Sequence, residues 1–332
     1  MVIFTLTKNQ SIMKKVLKVL LILVVAILVL VGLGALYINV SGIPTYEAQE
    51  PDFHVKADSS KIVRGKKLAS MLCAGCHLNE ETGRLTGRLM ADVTDFGEIH
   101  SQNITHDAEF GIGNWTDGEI LYLLRTGILP NGRYAPPYMA KLPYMADEDI
   151  ESVIAFLRSD DNLVAATHVP DYPCKPNFLT KMLCRVAFKP MPFPEKAIPM
   201  PDTTNDVEWG RYLVLNLDCW TCHAPDFTKL NIADPEKTPG FMSGGNQSLK
   251  TPDGHSILSL NITPDKETGI GNWTKEQFVR AIKYGLIEGG EAIREPMVPH
   301  PQLTDYEAAA MYAYLQKIPP IKNKVERTVI TD

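Results

Sequence analysis

The sharpest contrast along the chain is an apolar run from Val19 to Ile38, twenty residues without a charge, set against a remainder in which apolar positions come in short bursts at helical spacing. At about 1.5 Å per residue, a helix of that length covers roughly 30 Å, the thickness of a bilayer's hydrocarbon core. It predicts a membrane-spanning helix. Further on, Ile150, Val153, Ile154 and Leu157 fall at i, i+3, i+4 and i+7, the buried face of a helix that follows Asp147. Thr116-x-x-Glu119, Thr274-x-x-Gln277 and Thr304-x-x-Glu307 each have the spacing of a capping box, in which a hydroxyl and a later side chain satisfy the free N–H groups of a helix start. Gly127 and Gly285 suit the left-handed position that ends the first two of these helices. Shorter helical patterns run over residues 65–72 and 210–217. No segment alternates as a half-buried strand would, so the expected fold class is all-α.

These elements come in pairs because the sequence repeats itself. Residues 103–160 lie on 261–318 at an offset of 158 without a gap, and 18 of 58 positions are identical. Gly-Ile-Gly-Asn-Trp-Thr occurs at 111–116 and again at 269–274. The expected organisation is an anchor over residues 1–40, a linker over 41–57, a first unit over 58–160, a proline-rich connector over 161–205, a second unit over 206–320 and a tail over 321–332. About 100 residues is a small core for one unit, and a bound macrocycle would add apolar mass to it.

Charge sets the orientation of the anchor. Lys8, Lys14, Lys15 and Lys18 precede the apolar run and no lysine or arginine follows it until Lys56, which predicts a cytoplasmic N-terminus with the remaining chain outside. A cleaved signal peptide has a shorter apolar core and a small-residue cleavage site, and Leu36 to Val40 offers none. The expected anchor is therefore uncleaved and single-pass, in the cell inner membrane, with the units on the periplasmic side. Residues 41–332 hold all 39 acidic and 29 of the 33 basic residues, a net charge of −10. That sign argues against nucleic acid and against electrostatic attraction to anionic lipid.

Four of the six cysteines carry the chemistry. Cys73-Ala74-Gly75-Cys76-His77 and Cys219-Trp220-Thr221-Cys222-His223 are both Cys-x-x-Cys-His, the attachment signature of c-type haem. The thiols would form thioethers and the adjacent histidine would lie beneath the iron, giving two covalently attached haem c groups. A shared zinc site is disfavoured by the 142 residues between Cys76 and Cys219. The haem motifs are offset by 146, so the second unit carries 12 extra residues, expected between Asp234 and His255. Cys174 and Cys184 lie in the connector and are expected to form a disulfide in an oxidising compartment. The alternative for them is ligation of a haem iron.

The repeat also addresses the second axial ligand. Met139 falls on Met297, and no other methionine within the register has a methionine twin. Met145 falls on Leu303. His100, His106 and His300 have no histidine twin. The metal ligands expected are therefore His77 with Met139 and His223 with Met297. Methionine opposite histidine raises the reduction potential and closes the coordination sphere. In the repeated hexapeptide, the glycines are expected to bring backbone close to the haem edge, and the Trp115 and Trp273 indoles to donate to a propionate.

Asn261-Ile262-Thr263-Pro264-Asp265, then Thr268-Gly269-Ile270-Gly271-Asn272-Trp273, placed after Cys-x-x-Cys-His and before a proline-flanked methionine, resembles the multihaem cytochrome c subunits of membrane-bound alcohol and gluconate dehydrogenases and related dihaem cytochromes. The resemblance covers residues 58–320. It implies tandem class I cytochrome c domains that pass electrons from a dehydrogenase donor toward a cytochrome, quinone or oxidase acceptor in the respiratory chain. The chain departs from the best-known members in having two haem motifs where they have three, and in an N-terminal anchor. The expected role is electron transfer without substrate chemistry. The alternatives are a dihaem peroxidase, which needs a displaceable iron ligand beside an acid-base group, and haem-based oxidation of a small sulfur compound through Cys174 or Cys184.

Overall fold

The structure, a computed structural model, describes residues 3–246, 249–251, 255–287, 292–326 and 329–330, and parts of the expected insertion and tail (247–248, 252–254, 327–328 and 331–332) lie outside the described residues. It opens with α1 (Ile3–Ser41), whose stretch from Met13 is long and apolar enough to cross a membrane and is exposed along its length. Among the described residues it is the single helix of that kind.

The remaining chain is helix-rich. In the first unit α2 (Ser59–Leu72) runs into the short α3 (Ala74–His77), followed by α4 (Asp117–Thr126) and α5 (Asp147–Leu157). The connector holds α6 (Phe178–Val186). The second unit repeats the order with α7 (Asp206–Asn216), α8 (Cys219–Cys222), α9 (Lys275–Tyr284) and α10 (Asp305–Leu315). All three capping boxes form, and Gly127 and Gly285 take left-handed φ values of +82° and +70°. Ile150, Val153 and Ile154 are fully buried, as their spacing requires. Beyond the all-α expectation, the structure adds two-residue antiparallel strands. β1 (Gly97–Glu98) pairs with β2 (Lys175–Pro176), while β4 (Ser256–Ile257) pairs with both β3 (Leu249–Lys250) and β5 (Val329–Ile330). They are too short to show a period-two pattern in sequence, and they tie loops rather than build a layer.

Each unit is closed by one helix crossing, α2 on α5 and α7 on α10. A glycine sits at each crossing. A Cβ on Gly65 would lie 1.8 Å from the Ser152 carbonyl oxygen, and one on Gly210 would lie 1.8 Å from that of Ala310. The two crossings are equivalent, because Ser152 and Ala310 are themselves related by the offset of 158.

The crossings also pack on each other, so one apolar cluster runs through both units, from Leu68 and Phe156 to Trp209, Met311 and Leu315. Polar pairs also cross the seam. Tyr212 donates to the fully buried Asp149 at 2.6 Å, Arg64 pairs with the same carboxylate, and Lys67 pairs with Glu307. The small core of each unit is thereby pooled, which lowers the surface-to-volume penalty of a 100-residue fold.

Candidate functional site

Both Cys-x-x-Cys-His motifs occupy the same local structure. The first cysteine follows the long helix of its unit, and one tight turn then closes with the histidine amide donating to the first cysteine carbonyl, at 2.8 Å from His77 to Cys73 and 3.0 Å from His223 to Cys219. That turn brings both sulfurs and the imidazole onto one side of the chain. The second unit has one residue more before its motif: Gly65 to Gly210 is an offset of 145, whereas Cys73 to Cys219 is 146. The additional residue is Asp218, which takes a left-handed φ of 59°.

The imidazoles are oriented by backbone. His77 Nδ1 donates to the Gln102 carbonyl at 2.7 Å and His223 Nδ1 donates to the Leu260 carbonyl at 2.8 Å. Gln102 and Leu260 are related by the offset of 158 and immediately precede the repeated Asn-Ile-Thr. A carbonyl behind Nδ1 fixes the tautomer that leaves the Nε2 lone pair for a metal. Among the described residues neither Nε2 hydrogen-bonds to the protein. Burial pushes both histidines below their ordinary pKa, opposed in part by these carbonyls, so the rings are neutral at pH 7. Desolvation pushes the Cys73 and Cys219 thiols up to about 12, opposite to the depressed values of a thioredoxin-like pair.

The carbonyl that orients each histidine is held in turn. Asn103 Oδ1 accepts from the Thr105 amide and hydroxyl at 2.9 and 2.7 Å, and Asn261 Oδ1 accepts from Thr263 at the same two distances. The Asn103 amide donates to Thr167 and Val169 carbonyls, and that of Asn261 to Ile321. Arg88 donates to the Gly75 carbonyl at 2.5 Å and Asn246 to the Thr221 carbonyl at 3.0 Å, clamping the third residue of each motif. Sequence comparison missed this clamp because arginine and asparagine do not score as identical. The signal was the offset of 158 between them.

The same equivalences move the insertion. Ile104 donates to Leu85 and Ile262 to Met242, each at 2.9 Å, so the seven residues from Leu78 to Arg84 correspond to the longer stretch from Ala224 to Phe241. The extra residues thus lie between Ala224 and Phe241, a stretch that overlaps the expected Asp234 to His255 segment only from Asp234 to Phe241. That stretch carries two short 3₁₀ turns of its own, Phe227–Lys229 and Pro235–Lys237.

The repeated hexapeptide has an internal explanation. A Cβ on Gly111 or Gly269 would lie 2.3 or 2.2 Å from the carbonyl of Thr105 or Thr263, and one on Gly113 or Gly271 would lie 2.2 or 2.3 Å from that of His106 or Pro264. The glycines therefore fold the loop onto its own backbone. Asn114 and Asn272 close the loop on Ala108 and Lys266, Ile112 and Ile270 enter the core, and Thr116 and Thr274 cap α4 and α9. Trp115 and Trp273 are half-buried against the core, with carbonyls that accept from Arg158 and from Tyr312. Among the described residues neither indole N–H donates to protein.

Met139 and Met297 are placed alike. Each closes a tight turn, with its amide donating to Pro136 at 3.0 Å or Arg294 at 3.1 Å, and each side chain is half-buried. The loop after Met139 is braced by Arg125, itself 1 % exposed, which donates to the carbonyls of Leu142 and Met145 and pairs with Asp147 at 2.5 Å. Lys283 and Asp305 repeat the pair. Met145 and Leu303 are buried in the core, which leaves Met139 and Met297 as half-buried methionines in matched positions. Of the other histidines, His106 is engaged by the Leu157 carbonyl, and His168 is two-thirds exposed beside Asp107.

The expected Cys174–Cys184 disulfide is not formed; all six cysteines are free. Cys174 Sγ is taken up by the backbone of His100, donating to its carbonyl at 3.1 Å and accepting from its amide at 3.4 Å, and Cys184 lies on the buried face of α6. Among the described residues no group of three or more His, Cys, Asp or Glu side chains is placed to hold a bare metal ion, so the two Cys-x-x-Cys pairs are not halves of one zinc site. A donor set of two thiols, a neutral backbone-oriented imidazole and a matched thioether per unit suits a covalently bound haem.

Comparison with known proteins agrees. Residues 62–160 match the cytochrome c family. The chain is 30% identical over 282 residues to the fructose dehydrogenase cytochrome subunit of Gluconobacter japonicus, covering 79% of this chain and 54% of that one. It is 29% identical over 294 residues to the alcohol dehydrogenase (quinone) cytochrome c subunit of Gluconacetobacter polyoxogenes, covering 82% and 58%. A diheme cytochrome c-type protein of Cereibacter sphaeroides is 27% identical over 263 residues, 75% of this chain and 83% of that one. The chain thus spans little more than half the length of the first two.

Proposed function

Because the chain carries a cytochrome c domain at residues 62–160 and resembles cytochrome subunits of dehydrogenases across both units, we propose that it is a membrane-anchored dihaem cytochrome c. In this reading it carries single electrons from a dehydrogenase on the periplasmic side into the respiratory chain of the inner membrane. The observation that carries it is the duplicated histidine setting, Nδ1 on Gln102 and on Leu260 in equivalent loops.

Cys73 and Cys76 would hold one haem c, and Cys219 and Cys222 the other. When bound, haem supplies a one-electron iron couple. His77 and His223, each held in direction by a backbone acceptor, would offer a neutral Nε2 to it, and Met139 and Met297 would offer a thioether from the loop braced by Arg125–Asp147 or Lys283–Asp305. With His77, Met139, His223 and Met297 all serving as ligands, no open position for a substrate would remain, and the shared core would keep the units in fixed relation. Electron transfer then needs no rearrangement of ligands. The separation of these roles from oxidation of a substrate fits relatives that are named as cytochrome subunits of dehydrogenases.

The test is a spectropotentiometric titration of the full chain in membranes. Two one-electron steps are expected, with both irons low-spin in either state and no spectral response to peroxide in the half-reduced protein. A resting high-spin iron, or a peroxide-driven change, would overturn the carrier reading in favour of a peroxidase.

A residue-level outcome follows for the tryptophans. Among the described residues their indole N–H groups have no protein acceptor, and an N–H donor to a propionate would partly offset its negative charge. Trp273→Phe is expected to lower the midpoint of one haem, since unshielded anionic charge favours the ferric state. A differential of ~0.5 kcal/mol corresponds to about 20 mV for a one-electron couple. An unchanged midpoint would leave Trp273 a packing residue.

A further inference from the structure

The connector helix α6 has an exposed apolar face that neither unit uses. Phe178, Met182 and Val186 recur at i, i+4 and i+8, with Leu179 beside them, and three of these are 42%, 51% and 70% exposed at Phe178, Leu179 and Val186. The opposite face, Thr180 and Cys184, is buried against the protein. Single exposed apolar residues are ordinary on a soluble surface; a stripe covering one side of an amphipathic helix is not.

Its position says what covers it. Arg185 donates to the Ser41 hydroxyl at 2.6 Å and the Gly42 carbonyl at 3.0 Å, and its guanidinium lies 5.1 Å from the centre of the Tyr37 ring. Lys181 donates to the Asn39 side chain at 3.0 Å and to its carbonyl at 3.2 Å. These contacts clip α6 to the last turn of α1, where the apolar run gives way to polar residues. Its charge agrees: from Tyr172 to Phe193 there are Lys175, Lys181, Arg185 and Lys189 and no acidic residue, in an exported chain that is otherwise strongly acidic. A short helix with an apolar face, basic flanks and a place at the mouth of a span has the composition of an interfacial helix on anionic lipid.

We propose that α6 lies on the outer surface of an anionic bilayer, with Phe178, Leu179, Met182 and Val186 dipped into the headgroup boundary beside the exit of α1. This rests on the reading of α1 as a membrane span. It gives the haem units a second point of attachment, so that they keep one orientation to the membrane plane instead of swivelling on residues 41–57. The acidic surface elsewhere is then turned away from the lipid toward soluble or membrane partners.

Benzoylphenylalanine placed singly at Leu28, Phe178, Val186 and Val63 of the full chain, in vesicles of phosphatidylethanolamine and phosphatidylglycerol, tests this by mass-detected lipid adducts after irradiation. All four side chains are exposed, so the fold tolerates the change. Adducts are expected at 28, 178 and 186, at least fivefold above those at 63, and at 178 and 186 to fall at least twofold in purely zwitterionic vesicles. Adducts at 28 with those at 178 and 186 no higher than at 63 would overturn the docking of α6 while leaving the span intact. No adduct at 28 would sink the span itself, and this proposal with it. Undiminished labelling in zwitterionic vesicles would overturn the assignment to anionic lipid.

Discussion

Met297→Ala is expected to turn one of the two irons high-spin in the oxidised protein, remove about half of the weak far-red band that methionine-ligated ferric haem gives, and lower one of the two midpoints. The thioether is a soft ligand that favours the ferrous state, so its loss lowers the potential; axial ligation spans roughly 0.8 V across haem proteins, and a tenth of that or more is expected here. Met139→Ala should act in the same way on the other step. The control is Met145→Leu, a volume-conserving change at a site with no exposed surface, which should leave the spectrum unaltered and cost under about 1.5 kcal/mol. A low-spin, unshifted spectrum in M297A would show that the side chain at this position does not reach the iron. The duplication makes the experiment internally controlled, since the unaltered haem would report in the same cuvette.

Much of this arrangement was legible because it was written twice. A duplication turns weak patterns into strong ones: a methionine among twelve is uninformative, but a methionine falling on a methionine at the offset of 158 is not. The capping boxes at Thr116, Thr274 and Thr304 were legible because their chemistry is local, needing only a hydroxyl and an acid or amide three residues on. What sequence hid was carried by backbone atoms or by unlike residues. The Gln102 and Leu260 carbonyls orient the histidines whatever side chains those positions bear, and Arg88 and Asn246 reach the same carbonyl position with different groups. The disulfide expected from export and spacing failed for a reason only tertiary structure supplies, because the Cys174 sulfur is bound to His100 backbone and Cys184 is turned into the core. The seam between units was equally hidden, since Asp149 and Tyr212 are ordinary residues until the two crossings meet.

Gly210→Val is the substitution expected to cost most stability. An added Cβ would sit 1.8 Å from the Ala310 carbonyl oxygen, 2.4 Å from its carbon and 3.0 Å from the Met311 nitrogen, all backbone of the facing helix. No rotamer relieves a Cβ clash, so α7 and α10 must move apart by more than an ångström, and Trp209, Leu213, Val214, Met311 and Tyr314 lose close packing together. Overpacking ordinarily costs 1–3 kcal/mol, and a clash of backbone against backbone belongs at the upper tail, about 4 kcal/mol. With a urea m-value of about 2 kcal/mol/M, the midpoint should fall by roughly 2 M. Gly65→Val meets the Ser152 carbonyl in the same way and should cost as much. Gly75→Ala is the contrast, a glycine inside a haem motif with open space around its Cβ, and should change stability little. Because α7 leads through Leu217 and Asp218 into Cys219, a displaced crossing also shifts the turn that presents His223, so the loss should be accompanied by a disturbed spectrum of that haem alone at low denaturant. A fall of less than about 0.5 M for G210V would mean that the two helices do not meet at this glycine, and the equivalence of the two crossings on which the reading of the duplicated site depends would go with it.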